Sequence, residues 1–150
     1  MRLWHKDLIP VLPRQQLLGQ WRECHLIIKQ IVEQGTPNHI LVNKIIEYPI
    51  SHFEYYHFLI YHEMKQRGYR INPHNTLQLF NIIEDIGIGD YPFYDDLFAG
   101  WHDDIYLREC LYNLEEKARA GGIPSREWEV IYKKYKDFTP LWKGVNNEDN

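Results

Sequence analysis

The chain has 150 residues, 44% apolar and 25% charged, which suits one globular domain with its own core and excludes a fibrous or disordered polymer. The net charge of −4 argues against a generally basic nucleic-acid-binding surface, and no apolar run approaches the roughly 18 residues of a membrane span. The start MRLWHKDL lacks the apolar core of a signal peptide, and the two cysteines, Cys24 and Cys110, read as reduced thiols, so a cytoplasmic protein is expected. Residues 1–9 look short and extended, with Pro10 and Pro13 punctuating the entry to a first helix over about 13–34. Its apolar positions Leu17, Trp21, Cys24, Ile28 and Ile31 fall at helical spacing, and Gly35 stops it. Residues 38–50 form a connector. Ser51 with Glu54 predicts a capping box for a second helix that runs to Arg67 and ends at Gly68. A third helix is expected from Asn72 or Asn75 to Asp85, then a GIGDYP loop, a short helix over 93–99, a long one over 101–120 and a last one near 125–136. With no alternating strand pattern, the reading is all-α: one compact domain over 1–143 of about four to six helices, a short extended N-terminal arm and a disordered tail at 144–150.

Charge is unevenly distributed. Residues 84–116 carry ten acids and one base, while 1–83 and 117–143 are both net positive. The two ends of the chain are able to build a basic surface; equally, 84–116 reads as a solvated acidic helix. The usual catalytic patterns fail on spacing. His52, His57 and His62 are five apart and spiral round a helix, YHEMK lacks a second histidine at i+4, and there is no cysteine pair with zinc spacing, so no metal site is expected. GIGDYP has neither the strand nor the lysine of a phosphate loop, and no cofactor is expected.

The stretch GQWRECH, residues 19–25, poses a sharper question. A glycine inside a helix costs about 1 kcal/mol relative to alanine, so Gly19 needs a reason. Gln15 or Gln16, Gly19 and Glu23 share one helix face, which leaves a notch with a carboxylate at its edge. Close packing of another backbone, or an ordinary surface glutamate, explains the same residues.

RQQLLGQWREC resembles the matching helix of the pyrimidine-dimer DNA glycosylase/AP-lyase family, the endonuclease V type. MRLW resembles that family's N-terminal arm, HEMKQRGYRI (62–71) the end of its second helix, and GDYP (89–92) with LEEKA (114–118) a loop and its third helix. WEVIYKKYKDF (128–138) is similar in composition to its aromatic C-terminal region. Leu26 and Asn113 stand where the resemblance leads one to expect arginines. The resemblance implies an all-α fold and a nucleophile that is the α-amine of the first residue. That amine attacks deoxyribose C1′, displaces the damaged base and forms an imine, and β-elimination nicks the strand. Carried over residue by residue, it implies Met1 as nucleophile and Glu23 as the essential carboxylate. Arg2, Gln15, Arg22 and Lys117 are implied as contacts to damaged double-stranded DNA, and oligomerisation is not required. Arg2 in second place is expected to prevent removal of Met1. An α-amine titrates near 7.7–8.0 against about 10.4 for lysine, so it offers a neutral nucleophile near neutral pH without burial. Lys133 and Lys134 face either phosphates or solvent. Trp128, Tyr132 and Tyr135 either touch unstacked DNA or form one buried stripe. The alternative function is a non-catalytic helical module that binds nucleic acid or a protein.

Overall fold

The computed structural model describes residues 1–72 and 92–145. The described residues form four α-helices and no strand: α1 (Arg14–Gln34), α2 (Ile50–Gln66), α3 (Asp104–Arg119) and α4 (Ser125–Tyr135). Short 3-10 helices occupy Lys6–Val11, Asn43–Glu47 and Tyr94–Asp96. The expected helix from 72 or 75 to 85, most of the GIGDYP loop, and tail residues 146–150 lie outside the described residues.

The helices exist for the reason the periodicity suggests: each places one apolar stripe into a shared core. Leu17, Cys24 and Ile28 come from α1, Phe53, Tyr56 and Ile60 from α2, Leu111 and Leu114 from α3, and Trp128 and Ile131 from α4, all buried. Each aliphatic side chain so buried contributes about 1.5–3 kcal/mol. Gly35 ends α1 in the left-handed region at φ 77°, where its N–H reaches the Ile31 carbonyl at 2.8 Å. The start of α1 is capped from a distance. Pro13 offers no side-chain cap, and the Glu127 carboxylate of α4 accepts from the Arg14 N–H at 2.7 Å.

Several local expectations change. The α2 helix starts at Ile50 behind Pro49, so Ser51 lies within the first turn and is buried; no side-chain hydrogen bond caps the helix, and Glu54 is buried on the inner face. Proline's fixed φ already sets the entry to the helix, which leaves the serine no capping position to fill. Trp101 and His102 precede α3, because Asp103 is its N-cap and accepts from the Tyr106 N–H at 2.9 Å. Trp128 and Tyr135 are core residues, so the DNA-facing reading of the C-terminal aromatics is corrected for these two; the Trp128 Nε1–H donates to the Trp142 carbonyl at 2.8 Å.

The N-terminal arm differs most from expectation. It is extended only through His5, after which a 3-10 helix begins at Lys6. It threads the interior: Leu3 is fully buried, as is Leu8, and Trp4, His5 and Lys6 are nearly so. Each of the four described α-helices holds it. The Trp4 N–H donates to Gln20 Oε1 of α1 at 2.9 Å, and the Tyr56 hydroxyl of α2 donates to the Trp4 carbonyl at 2.7 Å. The Lys6 N–H donates to His102 Nδ1 at 3.0 Å, the Tyr106 hydroxyl of α3 to the Leu3 carbonyl, and the Tyr135 hydroxyl of α4 to the Asp7 carbonyl at 3.3 Å. At the arm's far end, the Arg67 guanidinium covers the carbonyls of Leu12, Pro10 and Ile9 at 2.8, 3.2 and 3.4 Å. Backbone groups buried this way must find partners, and here they find them on all four helices or the loop before α3.

Candidate active site

The clamped arm delivers Met1 to a cleft of about 360 Å³. One wall is a single face of α1, with Gln15, Gln16, Gly19, Gln20 and Glu23 at three- and four-residue spacing. Met1, Arg2 and Trp4 enter from the arm, Leu41 from the α1–α2 connector, and Asn113 and Lys117, one helical turn apart, from α3. Five residues expected to belong together, Met1, Arg2, Gln15, Glu23 and Lys117, therefore line one cavity although they span most of the chain.

Glu23 is half-buried, and burial pushes its carboxyl above the ordinary carboxylate range. Opposing that, the positive charge of the N-terminal amine acts on it most strongly, followed by the backbone N–H of Arg2, then His39 and Arg22. The start of the chain and the helix carboxylate are thus electrostatic neighbours in one cleft. Gln20 is buried with Oε1 committed to the arm, while its Nε2 and the Oε1 of Gln16 have no hydrogen-bond partner among the described residues. Buried polar atoms left open in this way suit a ligand that completes them.

Gly19 lines the cleft, and a Cβ placed there would meet only Arg22 Nη2, at 4.0 Å. The expectation that another stretch of backbone presses on this glycine is not met. What the missing side chain preserves is open space in the cleft. Arg22 is exposed, with its guanidinium turned toward Gly19. Arg2 is half-buried: its guanidinium sits over the Trp4 ring at 5.4 Å and reaches Cys110 Sγ at 3.9 Å. Lys133 and Lys134 do not join the cleft. They lie exposed on α4, Lys133 paired with Glu129 at 2.9 Å and Lys134 over the Tyr135 ring at 5.4 Å.

Sequence reasoning missed Leu41 and Gln20 as parts of the site, and marked Asn113 only as a departure from an expected arginine. Leu41 belongs to an irregular connector without periodicity, and Gln20 sits on the boundary between the apolar stripe and the notch face. On α3, the resemblance of LEEKA pointed to Lys117, and Asn113 stands one helical turn before it. A separate and larger cleft of about 830 Å³, between the α3–α4 turn and the C-terminal segment, shares no lining residue with this one.

Fold and cleft together define a helical protein whose N-terminal arm lines a cleft with α1 and α3. The pyrimidine dimer DNA glycosylase family matches residues 1–84, more than half of the chain, and the chain belongs to that family. The matched stretch holds the arm, α1 and α2, and with them Met1, Arg2, Gln15, Arg22 and Glu23; α3 and α4 lie beyond it. No curated protein and no solved structure matches the chain. No described helix is long and apolar enough to cross a membrane.

Proposed function

We propose that the chain is a DNA-repair glycosylase with associated AP-lyase activity, acting on pyrimidine dimers in duplex DNA through the α-amine of Met1. The supporting observation is that Met1, Arg2 and Glu23 line one cleft, where the charge of the N-terminal amine acts on the Glu23 carboxyl. The neutral amine attacks deoxyribose C1′, the glycosidic bond breaks, and the base departs with the bonding electrons and takes up a proton. Loss of the amine proton and opening of the sugar ring give the protonated imine. Removal of a C2′ proton then expels the 3′ phosphate by β-elimination. Glu23 stabilises the positive charge that develops at C1′ and carries the protons. A carboxyl raised above its usual range exchanges protons more readily near neutral pH than an ordinary one. Arg22 and Lys117 at the rim hold phosphates, and Gln16 Oε1 as acceptor and Gln20 Nε2 as donor serve the nucleotide once it opens the cleft to them.

Borohydride trapping on dimer-containing and abasic duplexes tests this. A covalent protein–DNA adduct is expected with the unmodified chain. It should fall at least 100-fold with Glu23→Gln and disappear when residues are added ahead of Met1. An adduct that survives the extension refutes the amine assignment, and no adduct on either duplex favours a non-catalytic DNA-binding module.

A further inference from the structure

The turn between α1 and the next 3-10 helix carries an apolar residue that the chemistry above does not use. Ile40 is 88% exposed, and its neighbour Leu41 is 47% exposed and lines the cleft. An exposed isoleucine alone is ordinary. This one sits on a turn that is built to hold it. Asn43 Oδ1 accepts from the His39 N–H at 2.8 Å and from the Thr36 hydroxyl at 3.3 Å, and the Asn38 N–H donates to Thr36 Oγ1 at 3.2 Å. The N–H groups of Val42 and Asn43 both reach the His39 carbonyl, at 3.0 and 2.9 Å, and the Leu41 N–H donates to its ring Nδ1 at 3.2 Å. Asn38 takes the left-handed conformation at φ 53°, while Pro37 and fully buried Val42 anchor the turn from below. The result is a fixed apolar tip beside the cleft, and His39 within it acts electrostatically on Glu23.

Two side chains on a turn are far too small for a protein interface, which buries roughly 800 Å² per partner. They match the size of a base step. Reaction at C1′ requires that the base, or its partner, leave the stack, and small aliphatic wedges are a recurrent means of opening one. We propose that Ile40, with Leu41 behind it, is a wedge that enters the base stack beside the lesion as the cleft takes hold of the deoxyribose. This rests on the DNA-lesion reading of the cleft.

The test uses a duplex with a tetrahydrofuran abasic analogue, which cannot react, flanked by 2-aminopurine, whose fluorescence rises on unstacking. The unmodified chain should raise it several-fold. Ile40→Ser should return it close to that of free duplex and cut dimer excision in duplex at least tenfold, and Ile40→Phe should restore most of both. Trapping on a single-stranded abasic oligonucleotide, which has no stack to open, should change less than twofold with Ile40→Ser. Equal losses on single and double strands would make the turn a merely structural element and overturn the wedge. So would full fluorescence in Ile40→Ser, or none with the unmodified chain. Absence of any trapped adduct with the unmodified chain strikes instead at the amine chemistry.

Discussion

At the scale of single residues, Gly19 and Glu23 show the same signature: each is a poor choice for stability and a good one for the cleft. Gly19→Ala meets no protein atom closer than 4.0 Å. It should raise helix stability by about 1 kcal/mol, read from the urea midpoint. The same methyl group enters the cleft and should slow base excision several-fold; a stabilised variant with unchanged excision would return Gly19 to a neutral role. Glu23 follows a parallel logic. Its folded pKa is raised by burial, so the folded state binds its proton more tightly than the unfolded state and stability falls as pH rises through the carboxylate range. Glu23→Gln removes that cost and keeps an acceptor for the Arg2 N–H. Its melting temperature at pH 7 should equal or exceed that of the parent, while trapping is lost. A marked drop in melting temperature would assign Glu23 to the scaffold.

At the scale of elements, the arm depends on long side chains sent from the helices. Arg67 at the end of α2 also pairs with Glu63 at 2.9 Å, which fixes its fork against the three arm carbonyls. Arg67→Ala leaves those carbonyls without their donor and should cost about 1–3 kcal/mol in urea unfolding. Arg67→Lys, lacking the planar fork, should recover only part. A loss below 0.5 kcal/mol would show that water replaces the guanidinium freely. The helices themselves were legible in the sequence because stripe and stop agree: Leu17 through Ile31 with Gly35 mark α1, and Gly121 follows α3. The depth of the arm was not, since Leu3, Trp4 and Leu8 have no period to read and the backbone around them is held by partners up to 103 residues away. Ser51 misled for the opposite reason, because a local capping pattern carried no knowledge of Pro49 and the burial beneath it. Of the site, the α1 face was readable from spacing alone. Leu41 and the turn that carries it were not, because their place beside the cleft is set by tertiary contacts.

At the scale of the whole molecule, charge and burial set the response to the medium. Burial lowers the pKa of His57, down to about 3, and likewise lowers His5, His52 and His102. Below their ordinary pKa of 6.5 the unfolded chain takes up protons that the folded chain refuses, so stability is lost progressively from pH 6.5 toward pH 3. Urea midpoints across that window should fall steadily; a flat profile would mean that these rings charge without unfolding. Salt tests the surface. Arg2, Arg22 and Lys117 are the side-chain cations at the cleft among the described residues, on a chain of net charge −4. The logarithm of the affinity for lesion duplex should therefore fall against the logarithm of salt with a slope of about −3, measured by fluorescence anisotropy. A slope steeper than about −6 would require a wider basic footprint that includes Lys133 and Lys134.

The interior position of the arm also has a consequence in time. The arm precedes all four helices in the chain, yet its residues are among the last to find their places. The backbone of Leu3 waits for Tyr106, that of Lys6 for His102, and that of Asp7 for Tyr135. A nascent chain that has exposed α1 and α2 already carries Met1 and Glu23, yet lacks these three partners that hold them in register. The arm is therefore fully clamped only after α4 has been made.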